Sequence, residues 1–123
     1  MMRAVLFVAI GGAAGSVLRY LSSVAVNKYV QSSFPWATFA VNIAGCFLIG
    51  LLMGFFMKQP AQDDGMKWLL VTGFCGGFTT FSAFAHENVA LFQTQQYGTA
   101  FLYTALSVVL GMLAVWLGLL LTR

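Results

Sequence analysis

The chain has 123 residues, of which 60% are hydrophobic and only 7% charged, with a formal net charge of +3 and a mean hydropathy of +0.87. A water-soluble domain of that composition would expose large apolar patches and aggregate, so the sequence reads as an all-α integral membrane protein. The positive balance does not point to nucleic acid, because the six Lys and Arg are scattered rather than clustered, and orientation in a membrane explains them better.

A spanning helix needs about 20 apolar residues at about 1.5 Å each. Four stretches qualify: Ala4 to Val26, Trp36 to Met57, Trp68 to Phe92 and Gly98 to Leu121. They leave room only for short loops, giving one domain over residues 1–123. Four thin helices have little interior of their own, so a polar pathway needs a second subunit to complete its walls, and a homodimer is expected. Arg3, Lys58, Lys67 and Arg123 fall on one face of this topology and Lys28, with Arg19 less clearly, on the other. That bias favours an internal N-terminus while leaving insertion in both directions open.

The first segment could be mistaken for a cleaved signal peptide, since Arg3 precedes an apolar run and Ala13-Ala14-Gly15 are small. The apolar character resumes beyond Arg19, however, and Gly11 and Gly15 form a GxxxG face suited to close packing. Arg19 itself has two readings, an interfacial side chain that snorkels or a positive charge lining a vestibule.

Pro35 opens the second segment, where its missing N–H costs nothing. Thr38 and Asn42 follow at i and i+4 on one face. An embedded Asn serves either as glue between helices or as an N–H donor to a passing anion. Gly50 and Gly54 make a further close-packing pair, and Lys58 to Lys67, with Asp63-Asp64-Gly65, reads as a solvated loop.

The third segment contains Gly73-Phe74-Cys75-Gly76-Gly77-Phe78-Thr79-Thr80-Phe81-Ser82-Ala83-Phe84, in which the glycine pair is expected to break the helix near the bilayer centre. In hydrocarbon, irregular backbone survives only where it is buried in protein or lines a cavity, so the break predicts an ion or substrate site. Past it, Phe81 and Phe84 share a face beside Ser82, and the positive edge of a phenyl ring can meet an anion. His86, Glu87 and Asn88 mark the approach to water, and Glu87 reads as interfacial; a lone His makes no metal site. In the fourth segment Tyr103 and Ser107 again align at i, i+4. With Thr38, Asn42 and Ser82 they outline a track of neutral donors. Cys46 and Cys75 lack metal-ligand spacing and read as small buried residues.

In order along nearly the whole chain, Gly11 to Tyr20, Thr38 to Gly45, Gly73 to Phe84, and Tyr103 with Ser107 resemble the Fluc/CrcB family of small fluoride channels. The resemblance implies antiparallel, dual-topology homodimers in the bacterial inner membrane that pass fluoride out of the cell without energy input. It further implies pore roles for Asn42, Phe81, Phe84, Ser82, Thr38, Tyr103 and Ser107, a vestibule role for Arg19, and a central structural Na+ held by the backbone carbonyls of Gly76 and Thr79. One turn beyond Ser107 the track meets Gly111, which has no hydroxyl. A small dimeric multidrug exporter is the rival reading, but such exporters rely on a carboxylate in the first helix and none is present here. No set of base, nucleophile and metal suggests an enzyme.

Overall fold

The computed structural model describes residues 1–58 and 65–123. Helix α1 covers Met2–Tyr29 and α2 Trp36–Met57. Helix α3 runs over residues 65–78, α-helical at Gly65–Lys67, π-helical over Trp68–Cys75 and α-helical again at Gly76–Phe78. Helix α4 covers Phe81–Gln93 and α5 Tyr97–Thr122. Four stretches, Met2–Tyr29, Trp36–Met57, Gly65–Gln93 and Tyr97–Thr122, are long and apolar enough to cross a membrane.

The second of these has the expected bounds, with Pro35 standing just outside the first helical turn and its carbonyl accepting from the Phe39 N–H at 3.1 Å. Helix α1 outruns its apolar stretch, because the polar residues Ser22, Ser23, Asn27 and Lys28 continue the helix to Tyr29 rather than leaving it. The loop expected from Lys58 is also shorter than the composition suggests: Gly65, Met66 and Lys67 already belong to α3, while Asp63 and Asp64 lie outside the described residues.

Close approach of backbones organises the packing. Helix α1 lies along α3, and α2 along α5. A side chain at Gly11 would strike the Leu69 carbonyl oxygen and one at Gly15 that of Phe74; across the same seam a Cβ at Gly77 would stand 2.6 Å from the Gly12 oxygen. The α2–α5 seam is built alike. A Cβ at Gly118 would lie 2.6 Å from both the Leu51 nitrogen and the Phe47 oxygen, and one at Gly50 would run into the Val115 carbonyl. Between apolar helices in lipid the hydrophobic effect offers nothing, so this intimacy of van der Waals contact holds them.

Gly76 and Gly77, expected to interrupt the helix, instead lie inside α3 with regular helical backbone. The chain changes course one turn later, at Thr79 (φ −85°, ψ 158°) and Thr80 (φ −149°, ψ 122°), both extended. The reason is division of labour. Gly77 is needed bare for contact with α1, while threonine, poor in helix interiors and good at caps, ends one helix and starts the next. The Thr80 hydroxyl accepts the Ala83 N–H at 3.2 Å as the N-cap of α4. At the other end of α4 the chain turns through Gln95, whose φ of 62° is left-handed, and the Gln96 N–H closes the turn on the Leu91 carbonyl at 2.8 Å.

Because the atoms met at Gly118 are backbone and cannot yield, Gly118→Val should separate α2 from α5, costing about 1–3 kcal/mol or more. Gly98→Ala, which meets nothing within 4 Å, should be neutral or slightly stabilising. Thermal unfolding of the detergent-solubilised protein compares the two; equal melting temperatures would refute the seam.

Candidate functional site

The extended link leaves backbone groups that must find partners, and Asn42 of α2 supplies them. Its Nδ2 donates to the Thr80 carbonyl at 3.0 Å, and its Oδ1 accepts the Thr80 N–H at 2.8 Å. One carboxamide thus pairs with both polar groups of a single residue, as a neighbouring strand would. The side chain expected to act as glue or as anion donor is therefore committed to the backbone through one amide hydrogen, with the second still available.

The link also changes what the end of α3 offers. The Thr79 N–H and hydroxyl both donate to the Cys75 carbonyl, at 3.0 and 2.9 Å. Arg19 reaches across from α1 and donates its Nε to the Gly77 carbonyl at 3.0 Å, so the expected vestibule cation neutralises a helix C-terminus, where a positive charge is favoured. In an unbroken helix the Gly76 carbonyl would receive the Thr80 N–H and the Thr79 carbonyl the Ala83 N–H. Those donors go to Asn42 Oδ1 and Thr80 Oγ1 instead. The two carbonyls singled out in the sequence as cation ligands are thus among those whose helical donors are diverted, and a side chain at Gly76 would meet open space. Backbone oxygens so released suit a hard cation.

A hollow of about 530 Å³ opens beside the link, bordered by Asn42, Gly76, Thr79, Phe81, Phe84 and Ser107 among others. Phe81 projects from it and is 78% exposed. Phe84 is half-buried, with its ring 5.8 Å from that of Phe81 and 4.9 Å from that of Tyr103. Ser82 is exposed beside the Thr80 hydroxyl, 3.3 Å away. Ser107 borders the hollow from α5, and its oxygen is buried without a hydrogen-bond partner among the described residues.

The remaining two track residues turn elsewhere. Thr38 donates to Glu87 Oε2 at 2.7 Å and Tyr103, with no exposed surface, to Oε1 at 2.9 Å. Glu87, which reads in the sequence as interfacial, is thus clamped by neutral donors from α2 and α5. Thr38 and Glu87 also border a second, more polar hollow of about 290 Å³ with Ser23, Asn27 and Ser32. Nothing local signals the Glu87 pairing, since its partners lie 49 and 16 residues away. Thr80 carries a local signal, a threonine just ahead of a helical run. Tyr103→Phe strips one carboxylate oxygen of its donor inside the protein and should cost about 1–3 kcal/mol, read as a lowered melting temperature; Thr104→Val, whose hydroxyl makes an exposed contact with Asn88, should cost less.

Comparison with known proteins is consistent along the chain. A family profile described as "CrcB-like protein, Camphor Resistance (CrcB)" matches residues 6–119. A protein of Flavobacterium psychrophilum named "Fluoride-specific ion channel FluC" is 53% identical over 122 residues, 99% of this chain and 98% of its own length. Proteins of the same name from Azobacteroides pseudotrichonymphae and Azotobacter vinelandii are each 44% identical over 123 residues, covering all of this chain and 98% and 99% of their own lengths. With a family match over most of its length and relatives that align end to end, this four-span chain belongs to the CrcB family of multi-pass membrane proteins.

Proposed function

We propose that the chain is a passive, fluoride-selective channel of the bacterial inner membrane that lowers cytoplasmic fluoride, working as an antiparallel homodimer. The observation that carries the reading is the Asn42–Thr80 pairing, which sustains an extended link with Phe81, Phe84 and Ser107 around one hollow. The names borne by relatives at 44–53% identity support the choice of anion.

The chemistry suits fluoride, a small hard anion that sheds water reluctantly. Phenyl edges, the free amide hydrogen of Asn42 and the Ser107 hydroxyl are neutral donors that can replace hydration in part yet release the ion. A fixed lysine or arginine in the path would hold it too tightly for conduction. Arg19, which reaches the link from α1, donates its Nε to a helix end. The hollow is open on the side where Phe81 stands exposed, and a second copy of the chain would close it, placing the link of the third span near the bilayer centre and Phe81 against the partner's pore.

A structural Na+ fits the same reading. The Gly76 and Thr79 carbonyls would hold it, supplying a fixed positive charge to backbone that α-helix geometry no longer satisfies. The exporter reading finds no support: α1 contains no carboxylate, and Glu87, the carboxylate of α4, is tied to Thr38 and Tyr103. The relatives are named as ion channels, not as enzymes.

In vesicles loaded with fluoride, the protein should release fluoride far faster than chloride, and Phe81→Ile should cut fluoride efflux by about tenfold or more while the dimer persists on size exclusion. Equal chloride release, or unaltered flux in the variant, would sink the proposal. Purification with N-methyl-D-glucamine in place of Na+ should lower the melting temperature, and returning Na+ but not Mg2+ should restore it. Indifference to the cation would remove Na+ from the account.

A further inference from the structure

We propose that Cys46 of α2 continues the donor line past Ser107, in place of the hydroxyl that Gly111 does not provide, so that a thiol lines the anion's route. The inference deepens the fluoride reading and rests on it. Three observations meet at this point.

First, the Ser107 oxygen is buried and has no hydrogen-bond partner among the described residues. A helical serine commonly bonds the carbonyl one turn back. This one bonds no group of the described residues, so its proton is unclaimed on a residue that borders the hollow. Second, a Cβ at Gly111, one turn further along α5, would stand 3.5 Å from Cys46 Sγ and 4.0 Å from Ile43 Cδ1. The sulfur therefore sits against the very spot from which a hydroxyl at position 111 would project, and Cys46 borders the same hollow as Ser107. Third, beyond this level α2 and α5 close on each other at Gly50, Gly54 and Gly118, where even a methyl group would meet backbone or the Thr122 side chain. At those glycines the described residues of the two helices leave no room for a side chain, so an ion leaving Ser107 is taken to pass by way of the hollow that Cys46 borders.

An S–H group is a weaker donor than a hydroxyl, and a weak final contact favours release over retention. The other thiol of the hollow, Cys75, is an internal control: it is only 2% exposed and its carbonyl anchors Thr79.

The test uses the full-length protein in fluoride-loaded vesicles with p-chloromercuribenzenesulfonate, whose mercury bonds the thiol sulfur as chloride leaves and the thiol proton passes to water. The reagent should block efflux by about tenfold or more in the unsubstituted protein and in Cys75→Ala, and leave the residual flux of Cys46→Ala unaffected. Fluoride in the bath should slow formation of the Cys46 adduct, read by mass spectrometry. Cys46→Ala should lower flux about threefold, and the double variant Cys46→Ala with Gly111→Ser should regain it, because the serine restores a donor at the same spot. The inference is overturned if Cys46 stays unmodified in the folded protein, if its adduct leaves flux intact, if block survives in Cys46→Ala, or if Gly111→Ser brings no rescue. Untreated protein that releases no fluoride overturns the parent reading instead.

Discussion

Everything near the hollow depends on one carboxamide. A spanning segment in lipid must satisfy each backbone N–H and C=O within the protein, because no water is present to do so. Two successive extended residues between α3 and α4 would violate that rule. Asn42 answers by pairing with the N–H and the C=O of Thr80 together. Once that pairing exists the chain can depart from the helix, and the departure turns Phe81 outward, frees the Gly76 and Thr79 carbonyls from helical donors and gives α4 its own capped start.

The supports of this arrangement divide by chemistry. Glycines bring α1 to α3 and α2 to α5 at backbone distance. Such seams are rigid because backbone does not yield, so they fix where Asn42 and Arg19 stand relative to the link. Polar side chains then act at few, specific points: Arg19 on the Gly77 carbonyl, Asn42 on Thr80, Thr38 and Tyr103 on Glu87. Each is a long-range contact between helices, and each pairs a group that would be costly alone in an apolar interior. The aromatic cluster of Phe34, Phe39 and Phe84 packs around Tyr103 and so holds the Phe84 ring of α4 against α5.

The same division explains why so few groups remain unspent. Among the donors suspected of meeting an ion, Thr38 and Tyr103 are committed to Glu87 and one amide hydrogen of Asn42 to Thr80; those left over include the second amide hydrogen of Asn42, the Ser107 hydroxyl and the ring edges of Phe81 and Phe84. An ion path made of leftovers from a structural network is electrically neutral, and neutrality is what allows a tightly hydrated anion to enter and to leave.

Composition and hydropathy determined the class of protein and the four spans, because a bilayer of fixed thickness demands a fixed length of apolar helix. The second span could be read to the residue, and the short glycine and donor motifs named most groups that border the larger hollow. Which protein groups these side chains pair with was decided only by the tertiary structure. Gly76 and Gly77 look like helix breakers in one dimension, yet both keep helical backbone: Gly77 must stay bare where α1 comes close, a need that arises only once α1 is in place, while Gly76 faces open space. Glu87 looks interfacial until α2 and α5 present Thr38 and Tyr103 to its two oxygens. Periodicity reports which residues share a face, whereas partners 16 to 58 residues apart are chosen by how the helices pack.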